Sequence, residues 1–296
     1  MEVLIQKKNV IFDSQIASTL MSCARLTNFR FNMDLVSVKG KSPSLEKGSL
    51  VHTILEWYYK SLLAGKPRSD AMAIGYDAGK EYVQGYLETN KYITNKEHDG
   101  AHLPSEDIET VSRTMEEYFD YYKSEHWTPI DVEYVKQAVI YEDDECRIIW
   151  KAKTDLAVDT NNGIYPVDHK THSSRRDTIS LSNQFYGLCT VWKTRGVIID
   201  KIGFQKTLKA NEKFTRPIIS YSVDRLIEWS QVIIPFWAKQ YIAYHEIGYW
   251  PPNFTHCQNK YDTCAFLDVC EVDTGMREET LRIQFHKGKK WDVTND

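Results

Sequence analysis

The sequence predicts an α/β fold with a helical N-terminal half, a core of three consecutive strands, a helix and a further strand, and a cysteine-bearing C-terminal segment. Apolar residues recur at helical spacing through roughly the first 130 residues and then give way to short Val-, Ile- and Tyr-rich runs parted by turn residues. With 296 residues, 42% apolar and 26% charged, the chain can bury a sizeable core and has the composition of an ordinary globular protein.

Each element has a local cause. Asp13 or Ser14 can cap a first helix carrying Ile16, Leu20, Cys23 and Leu26 on one stripe. Pro43-Ser44 opens a second, in which Leu45, His52, Leu55, Tyr59 and Leu62 recur until Gly65 stops it. Residues 68–90 and 105–125 continue as helices, the latter with Glu106 and Asp107 in its first turn, where the macrodipole favours acid. Strands are predicted over 132–141, 146–158 and 163–170, joined as a meander through Glu142-Asp143-Asp144 and Asn161-Asn162-Gly163. A helix from about Ser180 to Lys193, a strand over 197–208 and a helix from Asp224 to about His245 follow, and Trp250-Pro251-Pro252 ends regular structure. One compact domain is expected, with a helical region over 1–130 carrying Cys23 and His52, a core over 131–246 and a cysteine region over 247–296. The helical insert over 66–130 shows no motif.

Composition excludes some classes. No run of eighteen apolar residues exists, so no membrane span is expected. The opening Met1-Glu2-Val3-Leu4-Ile5-Gln6-Lys7-Lys8 is too polar for a signal peptide, so a cytoplasmic protein is expected, bacterial or in the host cytoplasm if phage-encoded. With a net charge of −4, any contact with nucleic acid must come from a local patch.

Chemistry concentrates at Asp168-His169-Lys170, at the end of the third strand. Strand alternation puts Asp168 and Lys170 on one face and turns the His169 side chain away, leaving only its backbone carbonyl as a ligand. A hairpin through Asn161-Asn162-Gly163 lets Asp155 of the second strand reach Asp168. Two carboxylates can hold Mg²⁺ or Mn²⁺, and a lysine beside them can orient water or neutralise charge on phosphate oxygens, which is what phosphodiester hydrolysis requires.

Lys153-Thr154-Asp155-Leu156-Ala157-Val158, a turn, and Val167-Asp168-His169-Lys170-Thr171 resemble the core of RecB-type PD-(D/E)xK nucleases. The resemblance implies a restriction-endonuclease-like core and a metal-dependent DNA nuclease. Gly48-Ser49-Leu50-Val51-His52-Thr53-Ile54-Leu55-Glu56 is similar to the helix carrying a metal-binding histidine in that family, which implies ligation by His52 beside Asp155, Asp168 and the His169 carbonyl. Gln184-Phe185-Tyr186 resembles the family's Gln-and-Tyr motif, implying roles for Gln184 and Tyr186 near the metal or the DNA backbone.

Cys257, Cys264 and Cys270 crowd one short segment at a spacing that suits zinc or an iron–sulfur cluster, with His256 or a distant cysteine as fourth ligand. Leu20-Met21-Ser22-Cys23-Ala24-Arg25 and Cys264-Ala265-Phe266-Leu267-Asp268-Val269-Cys270 resemble the iron–sulfur RecB-like exonucleases, among them AddB, CRISPR-associated enzymes and phage-type relatives. There one N-terminal and three C-terminal cysteines hold a 4Fe–4S cluster that staples the domain, which implies Cys23, Cys257, Cys264 and Cys270 here. The six residues between Cys257 and Cys264 depart from the two that are common among relatives. Cys146 and Cys189 read as packing residues. The same resemblance implies exonuclease action on single-stranded DNA or ends in recombination, repair or phage DNA processing, with a helicase or recombination partner. The alternative is a nuclease-like scaffold that grips DNA or a helicase without cutting; the intact Asp155, Asp168 and Lys170 argue against it.

Basic residues are less decisive. Lys193, Arg195, Lys201, Lys206, Lys209 and Arg216, with Arg175-Arg176, read equally as phosphate contacts or solvated charge. His286-Lys287-Gly288-Lys289-Lys290-Trp291 offers a stacking ring beside positive charge, or is a loose tail.

Overall fold

The structure, a computed structural model, describes residues 7–38, 43–93, 104–172, 180–258 and 263–293. It opens with a strand that periodicity did not announce, β1 (Lys8–Phe12), followed by α1 (Ser14–Ser22) and the single turn α2 (Ala24–Thr27). Asp13 caps α1, its Oδ1 accepting from the N–H groups of Gln15 and Ile16 at 2.8 Å each. The stripe through Ile16, Leu20, Cys23 and Leu26 is not one helix: Cys23 is extended (φ −163°, ψ 115°) and breaks the run between α1 and α2. Next come β2 (Leu35–Ser37) and the helices α3 (Pro43–Leu63), α4 (Arg68–Ile93) and α5 (Ser105–Tyr121).

The predicted meander is present as β3 (Thr128–Glu142), β4 (Cys146–Thr160) and β5 (Gly163–His172). Each strand outruns its apolar core because ladder bonds are made by backbone, so Asp159 and Thr160 still pair with Ile164 and Gly163. After α6 (Asn183–Trp192), the strand expected over 197–208 stops early as β6 (Gly196–Gly203). The chain there turns through α7 (Ala210–Lys213) to bring β7 (Phe214–Thr215) and β8 (Ile218–Ser220) back against β6. The long helix is α8 (Val223–Glu228), a π-helical turn over Trp229–Ile233, and α9 (Ile234–Ile247). Pro235, with no N–H to donate back into the preceding turn, accounts for that widening. Helices α10 (Leu267–Glu271) and α11 (Arg277–Gln284) and strand β9 (Phe285–Lys287) complete the chain. No helix among the described residues is long and apolar enough to cross a membrane.

Strand β4 organises the central mixed sheet. One edge pairs antiparallel with β3 along its length. The other edge is shared: Cys146–Trp150 pair parallel with β1, and Leu156–Thr160 pair antiparallel with β5. Between these stretches residues 151–155 of β4 have no strand partner on that edge among the described residues, and β5 continues from Val167 to His172 in parallel with β6. The sheet is covered on both faces. Val197 and Ile199 of β6 join a core with α1, α6 and α9, whereas Ile198 and Ile202 join one with α3 and α5. A third small core of Phe29, Phe266, Val269 and Phe285, with β2 antiparallel to β9, ties the C-terminal segment to residues after α2.

Candidate metal centre

The centre lies where β4 and β5 part. Glu133, between the pairs Val132↔Leu156 and Tyr134↔Thr154, stands across from Asp155 in the β3–β4 ladder. One step beyond Leu156↔Val167, Asp155 faces Asp168. Three adjacent strands therefore carry Glu133, Asp155 and Asp168 in one row. Helix α3 crosses this row closely because Gly48 has no side chain; a Cβ there would lie 3.2 Å from Thr171 Oγ1. One turn later, His52 reaches the row, its Nε2 3.0 Å from the His169 carbonyl and its Nδ1 3.6 Å from Asp155 Oδ2.

Helix α6 approaches through Gly187, where an added Cβ would lie 2.1 Å from Trp150 Nε1. That contact brings Gln184 to Asp168: Gln184 Nε2 donates to Asp168 Oδ1 at 2.7 Å, and its Oε1 accepts from Lys170 Nζ at 3.2 Å. Lys170 Nζ also donates to Asp168 Oδ1 at 3.0 Å. Asp168 and Lys170 share the α6 face of β5, and the His169 ring points the other way, as alternation required. His169 enters the centre through its main chain, its N–H donating to Asp155 Oδ2 at 2.8 Å.

The electrostatics separate the two aspartates. Burial acts against the Asp155 charge, but His52, His169 and Lys170 with the His169 N–H outweigh it and hold that carboxyl low. Burial pushes Asp168 above the usual carboxylate range; Lys170 opposes the shift and the Asp155 charge reinforces it. Burial and the Asp155 charge likewise raise Glu133 against the pull of Lys153, 2.7 Å away. Desolvation opposes the Lys170 charge, yet Asp168 and Asp155 overcome it and raise its ammonium.

These residues fit a hard divalent cation. One donor atom each from His52, Glu133 and Asp155 lie within 4.8 Å of one another. With Nε2–H donated to the His169 carbonyl, the other ring nitrogen of His52, Nδ1, faces the Asp155 carboxylate. A proton or a cation can bridge the two. Among the described residues nothing donates a hydrogen bond to the buried Asp168 Oδ2, and the Lys170 ammonium lies 3.0 Å from it. The row opens into a cleft of about 570 Å³, lined also by Ser49, Glu56, Lys151 and Leu188.

The structure therefore brings together His52, Asp155, Asp168, the His169 main chain, Lys170 and Gln184, and adds Glu133, which sequence reasoning missed. It does not bring in Tyr186, which is 8% exposed and stacked on Tyr221 at 4.2 Å in the aromatic core beneath α6. Residues two apart on a helix point in nearly opposite directions, so Gln184 and Tyr186 cannot both reach one site.

Cys23, which follows α1, and Cys257, Cys264 and Cys270, the last within α10, are free thiols near enough to act on one another's charge. Burial raises the Cys264 thiol, and charge on Cys257, Cys23 and Cys270 would raise it further. The Asn253 N–H points at Cys23 Sγ at 3.3 Å, and Arg25 Nη1 lies 3.9 Å from Cys270 Sγ. Cys146 and Cys189 are fully buried in the core. Among the basic residues, Arg216 is buried at an ion pair with Asp200, Lys193 forms the left-handed cap of α6, and Lys209 stands at the N-cap of α7. Arg175-Arg176 lies outside the described residues. Trp291 is anchored rather than loose, donating to Asp13 Oδ2 at 2.6 Å and packing edge-on against Phe31.

The sequence profile of the PD-(D/E)XK nuclease superfamily matches residues 16–271. No curated protein matches the chain. Among solved structures, the crystal structure of SSO0001 shares 14% identity over 52% of this chain and 69% of that one, at a TM-score of 0.27, a likeness too slight to define a shared fold.

Proposed function

Because the chain belongs to the PD-(D/E)XK nuclease superfamily, we propose that it is a Mg²⁺- or Mn²⁺-dependent deoxyribonuclease whose metal is held by His52, Glu133, Asp155 and Asp168, the His169 carbonyl expected as a further ligand being taken instead by the His52 Nε2–H. Superfamily membership by itself suggests a metal-dependent nuclease acting on DNA. The single observation that carries the finer reading is the row of three carboxylates across β3, β4 and β5, met by an imidazole and a lysine.

When bound, the cation supplies Lewis acidity and a water acidic enough to attack phosphorus at neutral pH. Everything else falls to the chain. The depressed Asp155 carboxyl keeps a full negative charge for the cation, and the His169 N–H holds its orientation. Gln184 braces Asp168 and Lys170 together, so the ammonium is suited to neutralising charge on the phosphate oxygens. The imidazole makes Mn²⁺ more welcome than an all-oxygen set would.

The four cysteines are read as holding a 4Fe–4S staple. That reading rests on the resemblance to iron–sulfur relatives and on the proximity of the four thiols, each of which bears on the charge of others in the set. The helical region 1–130, the core 131–246 and the cysteine region 247–296 are read as one unit, supported by β1 within the central sheet and by the β2–β9 pairing. Exonuclease action on single-stranded ends in recombination or repair rests on the resemblance to iron–sulfur relatives, as does a helicase partner.

Digestion of end-labelled single- and double-stranded DNA in Mg²⁺, Mn²⁺ or EDTA tests the activity. Cleavage is expected only with metal and is expected to be lost in Asp168→Ala and Lys170→Ala. Undiminished cleavage by either variant sinks the assignment.

A further inference from the structure

The two ends of His169 do different work. Its main chain holds both neighbours in the centre: the N–H donates to Asp155 Oδ2 at 2.8 Å, and the carbonyl accepts from His52 Nε2 at 3.0 Å. Its ring lies on the far face of β5, 3% exposed, stacked on Tyr59 with centroids 5.9 Å apart, and Nδ1 donates to Asp200 Oδ2 at 2.8 Å. Asp200 is the parallel-ladder partner of His169 on β6 and is wholly buried.

Asp200 is held in turn by Tyr118 of the helical insert and by Arg216, which lies between β7 and β8 and pairs with Glu125 of the insert. Tyr118 of α5 donates to Asp200 Oδ2 at 2.6 Å, and Arg216 Nε donates to Oδ1 at 2.8 Å. The Arg216 guanidinium also donates to the Tyr118 hydroxyl at 2.7 Å, pairs with Glu125, and lies 3.5 Å from the Tyr122 ring centre and 3.7 Å from that of Trp127. A buried ionic cluster of this kind is seldom more stabilising than apolar packing of equal volume, so its contribution is better sought in the geometry it fixes.

That geometry needs fixing here. Beyond Val167, β5 has lost β4 as a partner, and a side chain, Asp155, takes the ladder position opposite the His169 N–H. A strand held on one edge can rotate about its own axis unless a side chain pins it from the other face.

We propose that Asp200 is a positioning residue for the metal centre: through the His169 ring it fixes the peptide groups that orient Asp155 and His52, and Tyr118 and Arg216 make the helical insert part of that support. This inference rests on the assignment of Asp155 and His52 to the metal centre.

The test is calorimetric titration of metal-free, full-length protein with Mn²⁺, with circular dichroism and thermal unfolding on the same preparations. Asp200→Asn and His169→Phe, which keeps a ring against Tyr59 but has no Nδ1, should fold and bind Mn²⁺ about 10–100-fold more weakly, as for other residues that orient ligands. His169→Asn, whose Nδ2 stands near the position of Nδ1, should recover most of the loss. Should Asp200→Asn fail to fold, the two His169 variants still decide. Wild-type Mn²⁺ affinity in folded His169→Phe, or no recovery in His169→Asn, overturns the proposal, while loss of binding in Asp155→Asn leaves the centre standing. Wild-type binding in Asp155→Asn overturns the centre and this inference with it.

Discussion

Replacing Glu133 should change stability in opposite directions with and without metal. Its side chain is 15% exposed, and burial with the neighbouring Asp155 charge pushes its carboxyl above the usual range even with Lys153 alongside. A raised carboxyl means that the charged form is disfavoured by the fold at neutral pH, so a neutral isostere relieves the metal-free protein. Its backbone is also left-handed, at φ 52°, which costs a residue bearing a Cβ about 1–2 kcal/mol. Such local strain is tolerated where a site needs the side chain aimed.

A cation reverses the balance. At 100 times its dissociation constant it stabilises the wild-type fold by about 2.7 kcal/mol. If Glu133→Gln weakens binding about 100-fold, the same concentration only equals the new dissociation constant and contributes about 0.4 kcal/mol. The difference, about 2.3 kcal/mol, corresponds to about 5–9 °C in Tm at 2–4 °C per kcal/mol. Thermal unfolding followed by tryptophan fluorescence, in EDTA and in Mn²⁺ at that fixed concentration, reads both arms. In EDTA, Glu133→Gln should melt at or above wild type, and Glu133→Gly, free of the Cβ penalty, at or above Glu133→Gln. In Mn²⁺ both should fall below wild type. An Mn²⁺ increment equal to that of wild type would remove Glu133 from the centre. A clear loss of stability in EDTA would make it a structural partner of Lys153 instead.

Three further outcomes are expected. His52→Ala should weaken metal binding, so that activity partly returns at higher Mn²⁺; a metal dependence overlaying wild type would make His52 a packing residue. Gly187→Ala sets a Cβ 2.1 Å from Trp150 Nε1, and such overpacking costs about 1–3 kcal/mol while displacing Gln184 from Asp168. An unchanged Tm and cleavage rate would refute the tight α6 contact. Cys23→Ser or Cys264→Ser should discard iron and lower Tm, since linking Cys23 to Cys257 closes a loop of about 235 residues and removes about 5 kcal/mol of unfolded-state freedom. Asp168→Ala should keep both iron and Tm, and a Cys23→Ser protein with full iron would remove that cysteine as a ligand.

What was legible followed from short-range rules. Asp168 and Lys170 share a face because they are two apart on a strand, and Asp155 meets Asp168 because a tight turn pairs Thr160 with Gly163 and fixes the register back to Leu156↔Val167. The break at Cys23 was hidden because a helical stripe of apolar residues continues through it. Strand β1 was hidden because only Val10 and Phe12 of its five residues are buried, too few to show alternation. Gln184 and Tyr186 could have been separated from sequence alone by their angular offset on a helix.

Glu133 shows where sequence reasoning stops for a physical cause. The first hairpin closes with Glu142 opposite Arg147, and counting back from that pair places Tyr134 across from Asp155. An irregularity between Val139 and Tyr141 moves the register by one residue, so Glu133 takes that place instead. A single inserted residue exchanges the two faces of a strand, and nothing in Ala138-Val139-Ile140-Tyr141 marks it: no glycine, no proline, no break in the apolar run. The third carboxylate of the centre is set by a backbone defect at Ile140, close to a turn whose own register is regular and about seven residues from Glu133 itself. Any substitution that removes the bulge would carry Glu133 out of the row and put a tyrosine in it, leaving the sequence of the centre intact and its geometry lost.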